Sequence, residues 1–478
     1  MSTPHLPVEI HDIICSHIAR EDLHSYRSAS KHLADIGAQY LFRHLTFYAS
    51  YASLDRIVNI GNRDGLARLV ETVIWDTSSI SLDVADLDDW KTKILSLRCQ
   101  ELEELRSRWY RQIQNHDACE HRVQRYLWEE YERYKKLVAT ERDVQTLLLA
   151  NVTNLLVPFS KLKTIIIEKN EDDHEDEYLD MEVLEPRSTK LVKRGMLHRY
   201  LLSRHVPYKP STDLSPFVAA LAAAQKSTHQ VEARTLHYKI FSQLEYTQHL
   251  QHINVSHITH LHLRFALLDP SSNPQDSSLT MINCKHVLSQ GHLRAFLTKF
   301  TTLQSLVLDL EARSPGNGRA PVNLQDLFPR EQEDGVWPHL KHLAIYHADT
   351  PASVITALLS SHASSLRSLA LGDVCLDPPA SWEPIFTDLQ PRLELCSASF
   401  SHFLFDARVE GFLRGRSALM GWYCGGGESV EALSSLGPRL AEFMVKGGVC
   451  PLSGERKTAR VVGRAEDWVG ERSACSIT

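Results

Sequence analysis

Leu303-Gln304-Ser305-Leu306-Val307-Leu308 and Leu340-Lys341-His342-Leu343-Ala344-Ile345 share one spacing, with apolar side chains at i, i+3 and i+5. The last two of each trio alternate as a strand would place them. Four further copies read Val70-x-x-Val73-x-Trp75, Leu162-x-x-Ile165-x-Ile167, Ile258-x-x-Leu261-x-Leu263 and Leu366-x-x-Leu369-x-Leu371. Helix-like segments lie between several copies, such as 285–299 with Val287, Leu288, Leu293 and Phe296, and 353–362 with Val354, Ile355, Leu358 and Leu359.

A short strand followed by a short helix cannot bury its apolar face alone and must stack on its neighbours. The pattern therefore predicts an α/β fold, an irregular leucine-rich-repeat-like solenoid, with an ordinary α/β domain of Leu-rich parallel strands as the alternative. The central leucines at 261, 306, 343 and 369 are 45, 37 and 26 residues apart, so loops such as 269–278 and 313–321 have to leave the stack. Two weaker strand candidates, 234–241 and 393–400, fill gaps in the same sheet.

Outside these copies the periodicity changes. Residues 4–47 read as three short helices: one opens at Pro7 and carries Ile10, Ile13, Ile14 and Ile18, one starts near Asp22 with Leu23 and Tyr26, and one follows Ser30 with Leu33, Ile36, Tyr40 and Leu41. A module of about 40 residues is near the lower limit of independent stability, so part of this apolar stripe is expected to face a partner or the rest of the chain. Residues 87–152 form a highly charged stretch without Pro or Gly, with apolar residues at mostly three- and four-residue steps, which predicts one or two long amphipathic helices. Residues 170–177 are acid-rich, and 453–478 carry few large apolar residues and read as a solvated tail.

Composition narrows the function. The 478 residues carry 52 basic and 59 acidic side chains for a formal charge of −7, so there is no basic surplus for a nucleic-acid backbone. The apolar fraction of 43% and the charged fraction of 23% predict a folded chain. Neither a signal peptide nor a membrane span is readable, which predicts a cytoplasmic or nuclear protein. Nine cysteines without a Cys-x-x-Cys pair predict reduced thiols rather than a disulfide or zinc framework.

Catalytic constellations are missing from the sequence. Gly425-Gly426-Gly427 lacks the Lys-Ser/Thr of a phosphate-binding loop, and neither Gly-x-Ser-x-Gly nor His-Glu-x-x-His occurs. His260 and His262 fall on one face of a predicted strand, but exposed alternating histidines are the expected reading in a chain with 25 of them. Cys119 and His121, two apart in a helix, point to different sides. A non-enzymatic protein without cofactor or metal is expected.

The residues Leu6-Pro7-Val8-Glu9-Ile10, Ile13-Ile14, Ile18, Asp22-Leu23, Tyr26-Arg27, Ser30-Lys31 and Leu41-Phe42-Arg43-His44-Leu45-Thr46-Phe47 together resemble the F-box of filamentous-fungal F-box proteins. The run 440–452, ending Gly447-Gly448-Val449-Cys450-Pro451-Leu452, is similar to the closing segment of members with degenerate leucine-rich repeats. The resemblance implies an F-box over 1–50; together with the patterns above this divides the chain into a first repeat-like segment over 51–86, a helical insertion over 87–152, a repeat body over 153–452 and a flexible tail over 453–478. It further implies a substrate receptor that binds a Skp-type adaptor, and through it a cullin, with Leu6, Pro7, Ile10, Ile13 and Leu23 meeting the adaptor and the body binding a target protein. A non-catalytic interaction scaffold unconnected with ubiquitination is the alternative.

Overall fold

The computed structural model describes residues 6–77, 86–113, 115–168, 215–224, 227–242, 244–265, 283–310, 322–328, 336–377, 379–413, 416–425, 436–454 and 458–462. They fall into two compact units, Met1–Leu162 with Glu168–Pro207, and Lys163–Ile167 with Tyr208–Thr478. The chain is mixed α/β, with a largely parallel sheet in the second unit.

Three short helices open the first unit: α1 (Val8–His17), α2 (Arg20–Ser28) and α3 (Lys31–Leu41). Pro7 stands at the N-cap of α1 with φ −57° and ψ 153°. Ser30 caps α3, its Oγ accepting from the Leu33 N–H at 3.1 Å, which satisfies one of the donors a helix start leaves unpaired. The second helix departs from the sequence expectation. It begins at Arg20, ahead of Asp22, which lies inside it and donates its N–H to the Ala19 carbonyl, because Ala19 with ψ 145° already delivers the chain into the helix.

After α3 comes β1 (His44–Phe47), which pairs in parallel with β2 (Thr72–Asp76), placing Phe47 opposite Trp75. Between them run α4 (Tyr51–Gly61) and the single turn α5 (Asp64–Ala67). The charged stretch forms two long helices, α6 (Leu87–Ile113) and α7 (His116–Leu156). Asn115 caps α7, its Oδ1 accepting from the Ala118 N–H at 3.1 Å. The fully buried Trp90 of α6 packs on Tyr131 and Tyr134 of α7, with ring centroids 5.7 and 6.2 Å away. Val123, Leu127, Val144, Leu148 and Val152 extend that inner stripe at helical spacing.

In the second unit, β3 (Thr164–Glu168), β4 (Gln230–Leu236), β5 (His260–Phe265), β6 (Ser305–Asp309), β7 (His342–Thr350), β8 (Ser368–Leu376) and β9 (Ser397–Leu413) lie side by side in chain order, all parallel. β10 (Arg416–Gly425) returns antiparallel on β9, and β11 (Thr458–Val462) runs antiparallel on β10. All six sequence copies lie on strands, one on β2 and five in this sheet. The register aligns Leu261, Leu306, Leu343 and Leu369 in one row and Leu263, Leu308, Ile345 and Leu371 in the next. All eight are buried on the core face, as a period of two on a half-covered sheet requires.

A second regularity sits just before each strand. The carbonyl of Lys163 accepts from the N–H groups of His229 and Gln230, that of His229 from Thr259 and His260, and that of Thr259 from Gln304 and Ser305. Gln304, Lys341 and Arg367 continue the series toward Lys341 and His342, Arg367 and Ser368, and Cys396 and Ser397. Each strand start is thereby pinned by two hydrogen bonds to its predecessor, and Arg43 makes the same pair with Glu71 and Thr72 in the first unit.

Helices 292–297, 352–361 and 382–389 follow β5, β7 and β8 and bury Leu293, Phe296, Ile355, Leu358, Leu359, Trp382 and Phe386. The helix starting at Trp382 is capped from a distance. The buried Asp406 carboxylate of β9 accepts from the Trp382 N–H at 2.9 Å and from the Ser381 hydroxyl at 2.7 Å.

Two expectations are corrected here. The strand read over 234–241 begins earlier, at Gln230, and Tyr238–Phe241 is a 3-10 turn that buries Tyr238, Ile240 and Phe241. The tail read from 453 onward is tied down over part of its length: the Ser453 hydroxyl donates to Glu383 at 2.7 Å, and Thr458–Val462 is β11. The pairing partner β10 supplies backbone hydrogen bonds that a sparse apolar content does not reveal. The loops at 170–177, 269–278 and 313–321, and residues 463–478, lie outside the described residues.

Candidate functional site

In the three-helix module, Cys15, Leu23 and Ile36 form a small core with Ile18, Tyr26 and Tyr40 packed against it. Tyr26 also ties α2 to α1, its hydroxyl 2.6 Å from His11 Nδ1. Because these groups turn inward, several other apolar side chains of the α1 region are left outside. Leu6 is 50% exposed, Val8 46%, Ile10 40% and Ile13 56%, and Pro7 is exposed beside them. Four of the five residues singled out from the sequence are therefore on an accessible apolar ridge. The fifth, Leu23, is 4% exposed and belongs to the core. Helical spacing places it on an apolar face but does not tell which apolar face meets the module's own interior.

A polar cluster spans strands β5 to β8 of the second unit's sheet. His347 of β7 lies between two carboxylates, with Nδ1 2.9 Å from Asp309 of β6 and Nε2 3.4 Å from Asp373 of β8. Arg264 of β5 reaches Asp309 at 3.5 Å, and on β4 Arg234 pairs with Glu232 at 3.1 Å. His347 and Asp373 both take positive φ, 60° and 49°, a conformation that L residues adopt only at a cost of about 1 to 3 kcal/mol where surroundings impose it. The strand register skips both residues, pairing Tyr346 with Gly372 and then Ala348 with Val374.

Burial works against a charged imidazole here, but the hydrogen bonds and charges of Asp309 and Asp373 outweigh it and lift His347 from 6.5 to about 9. A group raised on folding stabilises the folded state fully below its unfolded value and loses that contribution as pH climbs through the folded one. Stability is thus expected to fall by roughly 3 kcal/mol between pH 6.5 and about 9 from this group. In His347→Gln that decline should disappear from a urea-midpoint profile over the same window; an unchanged slope would remove His347 as its source. Sequence reasoning missed this cluster, although Asp309, His347 and Asp373 each follow within two residues of a strand signature.

The histidine pair 260 and 262 projects from alternate positions of β5, with His262 Nδ1 3.9 Å from Glu232. Among the described residues no group of three or more His, Cys, Asp or Glu is placed to hold a metal ion. Cys119 is buried while His121 is exposed, so the two are not brought together. No described helix is long and apolar enough to cross a membrane. Compared with known proteins, the chain matches no family model and no curated sequence.

Proposed function

We propose that the protein is a substrate-receptor subunit of a Skp-cullin-F-box ubiquitin ligase, in which the N-terminal module is an F-box and the second unit is a leucine-rich-repeat-like body that holds a target protein. The observation that carries the reading is the ridge of Leu6, Pro7, Ile10 and Ile13, exposed on a module whose own core is already closed by Cys15, Leu23 and Ile36. Such a ridge offers a partner about 25 cal/mol per Å² of apolar surface to bury, before the costs of association. The repeat reading draws support from parallel strands in chain order, each started by the same pair of hydrogen bonds. The protein acts by bringing two others together rather than by chemistry of its own.

Co-purification with a Skp-type adaptor tests the docking. Leu6→Ala with Pro7→Ala, combined with Ile13→Asp, is expected to weaken the complex at least tenfold, as loss of central anchors does. Thermal unfolding should shift by only a few degrees, since all three side chains lie outside the core and the loss of Pro7 at the N-cap costs about 1 kcal/mol at most. Equal binding by both forms, or binding by neither, would make the ridge assignment wrong. The ligase step has its own test: the lifetime of a protein held by the body should lengthen when this chain is depleted, and an unchanged lifetime would leave a scaffold.

A further inference from the structure

We propose that the strand-start edge of the second unit's sheet is a recognition surface for an extended, carboxylate-rich peptide segment of a partner protein. The inference rests on the body being the part that holds a target, and it names the chemistry of the segment held. The register brings the edge together. His229 precedes β4, His260 opens β5, Lys341 precedes and His342 opens β7, and Arg367 precedes β8, with the small residues Ser305 and Ser368 in the row of His260 and His342. His229, His260 and Lys341 are exposed and His342 is partly so.

These groups sense one another as like charges. Besides partial burial, His229 pushes His257 and His260 below the usual imidazole value, Lys341 adds to the effect on His260, and His260 does the same to His342. Two carboxylates on the same strands and their neighbours are already engaged. Glu232 of β4 pairs with Arg234, and Glu394 pairs with Arg367 at 3.1 Å. Two neutral groups also border the row: the Thr259 hydroxyl lies 2.8 Å from His260 Nδ1, and Gln304 Oε1 accepts from Lys341 at 3.3 Å. An anion along this row relieves the repulsion and favours the protonated histidines.

Geometry favours many single carboxylates over one phosphate. The donors are monodentate and spread over the starts of β4, β5, β7 and β8, in a sheet whose strands lie about 4.8 Å apart and in which β6 places only Ser305 between, so they match charges distributed along an extended chain. A phosphate calls for converging donors, above all an arginine fork. The arginine of the row, Arg367, is bound to Glu394 and to the carbonyls of Ser364 and Leu366.

The purified full chain is titrated by fluorescence anisotropy into a labelled peptide alternating Glu and Ser, beside Gln/Ser, single-phosphoserine and single-stranded oligonucleotide probes. Binding of the Glu/Ser peptide is expected to be the tightest of the four and to strengthen about tenfold from about pH 7.5 to about pH 6, as protonation of two histidines would give. Combining His260→Gln, Lys341→Gln and His342→Gln should abolish it, while Lys446→Gln on the helix Leu436–Lys446 should not. Should the triple variant fold poorly, loss of wild-type binding at high salt serves the same purpose. Equal affinity for the Gln/Ser peptide, pH-independent binding, persistence in the triple variant or at high salt, or preference for the phosphoserine or oligonucleotide probe would each overturn the proposal. The adaptor is absent from this assay, so either result leaves the docking test of the N-terminal ridge independent.

Discussion

Leu306→Ala, and equally Leu369→Ala, is expected to destabilise the second unit by about 2 to 5 kcal/mol, read as a drop in its urea midpoint at constant slope. Both side chains are fully buried, and each is flanked in register by another buried leucine at Leu343. Truncation removes transfer free energy and leaves a cavity that the neighbouring strands cannot close, because each is pinned at its start to the one before. Val307 provides the comparison: it is on the opposite face of β6 and only partly buried, so Val307→Ala should cost well under half the loss at Leu306. If Leu306→Ala and Leu369→Ala both changed stability by no more than about 0.5 kcal/mol, as surface substitutions do, the alternation on these strands would not mark the core.

Gly437→Ala is expected to have an effect of similar size for a different reason. Gly437 lies in the first turn of the helix Leu436–Lys446, where an added Cβ would press well inside van der Waals contact on the carbonyl oxygens of both Phe400 in β9 and Cys424 in β10. Neither obstacle is a side chain that can swing away. The helix must back off from the sheet, uncovering Leu440 and Met444, so a loss of about 3 kcal/mol or more is expected. Gly65→Ala is the control. No heavy atom lies within 4 Å of its added Cβ, and a helical Gly→Ala change is then neutral or stabilising by up to about 1 kcal/mol. Similar midpoints for the two variants would mean that helix 436–446 does not approach the strands so closely.

Much of the sheet was legible because one interaction dominates it. Leu306, Leu343 and Leu369 are apolar for the same reason that they align, and the two-residue period survives without knowledge of neighbours. The helices at 87–152 were legible for the same reason, one continuous stripe over many turns. Less could be read where backbone pairing rather than side-chain character decides. β10 and β11 are held by antiparallel register to strands already in place, and their residues carry no copy of the signature. Leu23 shows the limit in the module. Its spacing marks an apolar face, yet whether that face meets Cys15 and Ile36 or a partner depends on how three helices close. The Asp309, His347 and Asp373 cluster was out of reach because residues from three strands meet only once two backbones take positive φ side by side.

The doubled hydrogen bonds at the strand starts separate the lengths this chain must keep from those it is free to change. A slip of one residue within a copy would break both bonds and turn every leucine to solvent, whereas extra residues inserted after a strand touch neither. Chain growth or shortening by genetic insertion and deletion is thus tolerated between copies and forbidden inside them. The unequal intervals of 45, 37 and 26 residues follow from this, and a foreign epitope spliced between two strands should leave the fold standing.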